Sequence, residues 1–165
     1  MTALFAGLIC IAAPISIPVG AIPITLASLA VYITGAILPL QQALCAVAVY
    51  ILVGAVGLPV FSNYSGGIQV ILGPSGGYIS GYLFCVLAEG LFLKLRNDKL
   101  IFYILAMLCG TVVLYICGTV WFCISAKVSF FSALSVCVLP FLPLDCIKTV
   151  AASALSFAVA NRIVF

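Results

Sequence analysis

Asp145 and Lys148 stand three residues apart in an otherwise apolar stretch, Leu142-Pro-Leu-Asp-Cys-Ile-Lys148. That spacing puts both on one face of a helix. An acid near a helix start is favoured by the macrodipole and by free backbone N–H groups. Two uses fit the pair. Asp145 can cap the helix while Lys148 snorkels to a membrane interface. Alternatively, the two form one wall of a pocket that offers an acceptor and a cation to a ligand carrying both donors and acceptors. Thr149 lies one turn from Asp145 and joins either arrangement.

A second group of polar residues lies upstream. Residues 58–77 contain Asn63, Tyr64, Gln69 and the run Gly73-Pro-Ser-Gly-Gly77, with Tyr78 next and Tyr82 one turn beyond. A structured loop of about 20 residues is uncommon without a function. Its glycines allow close backbone approach to a ligand, and Ser75 is placed to cap the next helix. The loop is thus either a turn into that helix or a lining or lid for the Asp145 pocket, with Asn63, Tyr64, Gln69, Ser75, Tyr78 and Tyr82 as candidate contacts. Trp121 and Phe122, near the end of a long apolar run, suit an interfacial belt or ligand stacking. Glu89, the first charged side chain in the chain, is expected to meet Lys94 or the polar zone on the inner side of a membrane, with proton coupling as the alternative.

Several chemistries are excluded. The chain has no histidine, so the commonest general base is missing, and no GxxxxGK[ST] loop is present for nucleotide binding. Its eight cysteines form no CxxC pair and sit mostly in apolar runs, as small buried hydrophobes do; no metal site is expected. Serines lack a base and the Asp–Lys pair lacks a second acid, so the chain is not expected to be an enzyme.

The elements that position these residues follow from composition. Of 165 residues, 67% are hydrophobic, and only six Lys+Arg and three Asp+Glu are present. Mean hydropathy is +1.47. So few charges cannot cover a water-facing surface, and the runs are apolar on all sides, which excludes an alternating β-barrel. The expectation is one domain over residues 1–165: all-α, a compact bundle of six transmembrane helices with its ligand pocket on the extracellular side. The spans are read as Ala3–Ile17, Ile24–Leu38, Ala43–Gly57, Tyr78–Leu93, Leu100–Cys123 and Asp145–Val164. A short capping or re-entrant helix is expected over Ser129–Leu139, and Pro140 and Pro143 bracket a turn. With no Lys or Arg ahead of the first apolar run, no cleaved signal peptide is expected. Lys94, Arg96 and Lys99 place their loop in the cytoplasm under the positive-inside bias. Both termini then fall inside, in agreement with Arg162, and the polar loop and the start of the last helix fall outside. Ala3 and Gly7, four apart, permit close helix approach, either within the bundle or with a partner.

Four blocks in this order resemble the BioY family of biotin-capture subunits of energy-coupling-factor vitamin transporters. They are Ile22-Pro-Ile-Thr-Leu26, the stretch from Tyr50 to Gly54-Ala-Val-Gly-Leu-Pro-Val-Phe61, Gly73-Pro-Ser-Gly-Gly-Tyr78 with Gly81, and Pro140-Phe-Leu-Pro-Leu-Asp145-Cys-Ile-Lys148. The resemblance implies six membrane helices in a bacterial cytoplasmic membrane and an external biotin pocket with Asp145 and Lys148 as polar contacts. It also implies partners: a membrane coupling (T) subunit, met through the Ala3–Gly7 face, and two ATP-binding subunits. Biotin is then the transported ligand, with no cofactor. Lys127 and loop N–H groups are candidates for its carboxylate. Leu144 stands where the family usually has Gly, and Ala27 where it usually has Gln. A capture subunit for another small vitamin and a non-transporting membrane scaffold are the alternatives.

Overall fold

The computed structural model describes residues 1–18, 22–94 and 99–160. Eight α-helices lie among these residues: α1 (Thr2–Ala12), α2 (Ala27–Ile37), α3 (Leu40–Ala55), α4 (Ile68–Leu72), α5 (Gly76–Leu93), α6 (Leu100–Ala126), α7 (Phe130–Cys137) and α8 (Leu142–Ala160). Three of them, α5, α6 and α8, are long and apolar enough to cross a bilayer; α1, α2 and α3 are shorter apolar helices. The outside is apolar. Leu4, Ile11, Leu52, Val112, Ile124 and Val150 are all more than half exposed, as residues facing lipid would be.

α5 and α6 form the most extensive helix pair. They approach closely because their contact carries glycines. A β-carbon on Gly77 would strike Trp121, and one on Gly118 would strike the Tyr78 ring. Such small residues let backbones pack where no hydrophobic effect drives association. α2 packs on α5 and α8, and α1 packs on α3.

The structure corrects several expected boundaries. The first span ends at Ala12 rather than Ile17. Pro14 has no N–H to continue the helical ladder, and the chain turns extended. Ser16–Ile17 (β1) pairs antiparallel with Ile24–Thr25 (β2), in the register Ser16↔Thr25 and Ile17↔Ile24. The last span begins at Leu142, so Pro143 sits in its first turn, where a missing N–H is free of cost. α6 continues to Ala126 and is closed by Lys127 in the left-handed conformation (φ 52°). Residues 58–77 hold a one-turn 3₁₀ helix at Ser62–Tyr64 as well as α4. That loop folds around Phe61, which is fully buried against the edge of Tyr50 (5.5 Å between centroids), over a notch left by Gly54.

The cysteines divide more evenly than expected. Cys85 and Cys137 are buried, four are half-buried, and Cys45 and Cys146 are exposed. An apolar thiol suits a lipid-facing surface as well as a core. Arg96, Asp98 and Arg162, used above for orientation, lie outside the described residues.

Candidate functional site

The first turn of α8 carries Asp145 inward. Its backbone N–H is bound by Phe141 O at 2.8 Å, and its side chain is buried. One turn later Lys148 points the same way and is 9% exposed, so it does not snorkel. Its ammonium uses three donors: to Asp145 Oδ1 at 3.0 Å, to Thr25 O at 2.8 Å and to Ser28 Oγ at 3.1 Å. Thr25 ends β2 and Ser28 lies in the first turn of α2, so Lys148 ties the hairpin to α8. Asp145 Oδ2 accepts the Tyr115 hydroxyl of α6 at 2.7 Å. Each charge is thus paired and hydrogen-bonded, the condition under which buried charges persist.

These two side chains form the polar end of a pocket enclosing about 550 Å³ between its walls, some of it open to solvent. The apolar walls include Tyr50, Tyr78, Tyr82, Leu114 and Phe141; β2, the start of α2 and Ser62 close other sides. Tyr78 is held in place twice. Its ring stacks on Phe141 (6.1 Å) and its hydroxyl donates to Cys137 O at 2.7 Å.

The fold therefore brings together Asp145, Lys148, Ser75, Tyr78 and Tyr82 of the residues singled out above. Ser75 occupies the N-cap position of α5 without a side-chain cap bond. Asn63, Tyr64, Gln69 and Trp121 stand outside the lining. Asn63 is bound to Ser16: the Ser16 hydroxyl donates to Asn63 Oδ1 (2.8 Å), and Asn63 N donates to Ser16 Oγ (3.0 Å). Gln69 donates to Gly66 O, Tyr64 is 71% exposed, and Trp121 Nε1 donates to Gly73 O at 2.9 Å. Phe122 is buried in the core. Lys127 is exposed and not on the wall. On α1, Ala3 is exposed and nothing would meet a β-carbon at Gly7; that face is open in the single chain. Of the two departures, Ala27 lines the pocket and Leu144 does not.

Glu89 corrects an expectation. It does not reach Lys94 or a polar edge but is fully buried among α2, α5 and α6. Sequence reasoning also missed Tyr115, Thr25 and Ser28. Tyr115 lies in the middle of a 27-residue apolar helix, where nothing local separates it from other core aromatics.

The described residues thus form a helical protein with an apolar exterior and a pocket whose polar end is the Asp145–Lys148 pair, the class of an α-helical membrane protein. Comparisons with known proteins agree with that class. The chain belongs to the BioY family, whose family model matches residues 1–164. It is 36% identical over 154 residues to the Biotin transporter BioY of Thermotoga maritima, covering 93% of this chain and 89% of that one. It is 35% identical over 152 residues to the Probable biotin transporter BioY of Pyrococcus horikoshii, covering 92% and 89%. Its fold superposes with a TM-score of 0.91 on a crystal structure of the S-component for biotin from an ECF-type ABC transporter. That match has 26% sequence identity and covers 97% of this chain and 88% of that one.

Proposed function

We propose that this chain is the substrate-capture subunit of an energy-coupling-factor transporter and that its ligand is biotin. The observation that carries the reading is the buried Asp145–Lys148 pair at the polar end of an aromatic-walled pocket. A ureido ring presents two N–H donors and one carbonyl. An ionised carboxylate has about four acceptor positions; Asp145 gives one to Lys148 and one to Tyr115, which leaves two for the ring N–H groups. Lys148 has all three donors engaged. The ring carbonyl therefore replaces one present acceptor, and the neutral Ser28 hydroxyl is the weakest to lose. Tyr78 and Tyr82 pack against the apolar ring and chain.

In this reading the whole chain is one domain and α1, α2, α3, α5, α6 and α8 are the six membrane crossings, with tilt or local thinning accommodating the short ones. The pocket faces outward and both termini face the cytoplasm. The open Ala3–Gly7 face meets the membrane coupling subunit, and two ATP-binding subunits drive release inside; the chain itself catalyses no reaction. Asn63, Tyr64, Gln69 and Trp121 then serve the ligand by shaping the loop that carries Ser75, with direct contact only if the loop moves on binding.

The test is thermal unfolding of the purified, detergent-solubilised chain with biotin, thiamine or riboflavin. A ligand that binds only the folded state raises its stability, by about 2.7 kcal/mol at a hundred times its dissociation constant. A shift with biotin alone is expected. No shift with biotin, in protein shown to be folded, would refute the reading.

A further inference from the structure

Glu89 takes no part in the pocket. None of its surface reaches solvent (0% exposed). Oε1 accepts one weak bond, from the Cys85 thiol one turn earlier at 3.5 Å, and Oε2 has no hydrogen-bond partner among the described residues. The carboxyl occupies a notch that exists because two facing residues are glycine. A β-carbon on Gly35 of α2 would collide with Oε2, and one on Gly110 of α6 would collide with Oε1.

The groups facing the notch are few. Cys85 faces it from α5. From α2 the nearby titratable group is Tyr32, whose hydroxyl is bonded to Thr111 of α6 at 2.9 Å. α2, α3 and α6 contain no charged residue. On α8, Asp145 and Lys148 are engaged with each other. An ionised carboxylate in the notch would lose its hydration and gain one thiol donor, with no cation paired to it among the described residues. A neutral acid fits better: its carbonyl oxygen accepts the thiol hydrogen and its second oxygen carries the proton.

We propose that Glu89 is a proton-binding site of the folded chain, the proton held on Oε2, and that the neutral acid is the form in which α5 docks on α2 and α6. Release of the proton leaves a bare carboxylate between two glycine backbones. The seating of α5, which also carries Tyr78 and Tyr82, then depends on proton occupancy. This inference stands whether or not the ligand is biotin.

The chain has three carboxyl side chains, Glu89, Asp98 and Asp145, so infrared bands can be assigned by elimination. Spectra of the full chain in detergent near neutral pH, in H₂O and D₂O, are expected to show a carbonyl stretch of a neutral carboxylic acid that shifts on deuteration. The band is expected to persist in the D98N/D145N variant and to vanish in E89Q. E89Q, which cannot ionise, is expected to match the wild type in thermal midpoint at neutral pH and to exceed it as the pH is raised. A wild type without the band, its loss in D98N/D145N shown to be folded by circular dichroism, or thermal midpoints that stay equal at high pH would overturn the proposal. The D98N/D145N arm does not depend on E89Q folding.

Discussion

At the scale of single residues, the account rests on two buried charges that satisfy each other and still leave acceptor capacity toward the pocket. Asp145→Asn removes the carboxylate and should weaken biotin binding by about 1.5–3 kcal/mol, roughly ten- to 150-fold; equilibrium titration reads it. Lys148→Ala should cost more in stability than in binding alone. It strands Asp145 without its cation, and breaking a buried pair typically costs about 3–5 kcal/mol. Tyr115→Phe deletes one hydrogen bond to Oδ2 and should weaken binding by about 0.5–1.5 kcal/mol, with the fold intact by circular dichroism. The pair was legible in the sequence because an acid and a base three apart in an apolar run have few other uses. Its supports were not. Thr25 and Ser28 reach Lys148 from 123 and 120 residues away and Tyr115 reaches Asp145 from 30, a proximity that only tertiary packing creates. Glu89 was misplaced for a related reason: Gly35 and Gly110, which make room for it, are distant glycines with nothing local to mark them.

At the scale of elements, α5 and α6 position the pocket wall through their glycine contact. Gly118→Ala places a methyl group against the Tyr78 ring. Overpacking of this kind costs about 1–3 kcal/mol. Because Tyr78 is fixed by Phe141 and by Cys137 O, the strain should reach the pocket. Both thermal midpoint and biotin affinity are expected to fall, whereas a purely structural contact would lower the midpoint and leave affinity unchanged. α5 and α6 were readable from hydropathy to within three residues at each end, since they begin or end at glycine or at charge. The β1–β2 hairpin was not. Ile15, Ser16 and Ile17 look like one more helical turn, and only Pro14 hints at the break. The Ser16–Asn63 bonds that hold the hairpin against the 3₁₀ turn couple residues 47 apart.

For the whole molecule, an apolar exterior around a pocket with one polar end explains why so few charges suffice. Water is not the solvent for most of the surface; among the described residues Lys94, Lys99 and Lys127 lie at helix ends, Asp145 and Lys148 pair inside, and Glu89 is buried without a cation. The proposed orientation puts residues 94–99 in the cytoplasm. A membrane-impermeant amine label should reach Lys94 or Lys99 only in opened cells, and Lys127, at the other end of α6, in intact ones; labelling of Lys94 or Lys99 in intact cells would reverse the topology. The open α1 face leads to a separate expectation. Ala3→Leu with Gly7→Leu should leave biotin affinity unchanged, since neither residue lines the pocket. The same pair should lower uptake in cells that supply the coupling and ATP-binding subunits.

The most direct measurement of the central claim is calorimetric titration of the purified chain with biotin, run in parallel on Asp145→Asn. One site per chain in the wild type, with an affinity roughly ten- to 150-fold weaker in the variant, is the predicted result. Saturable binding of equal strength in both would contradict the placement of the ligand at Asp145, and no binding to folded wild-type protein would contradict biotin as the ligand.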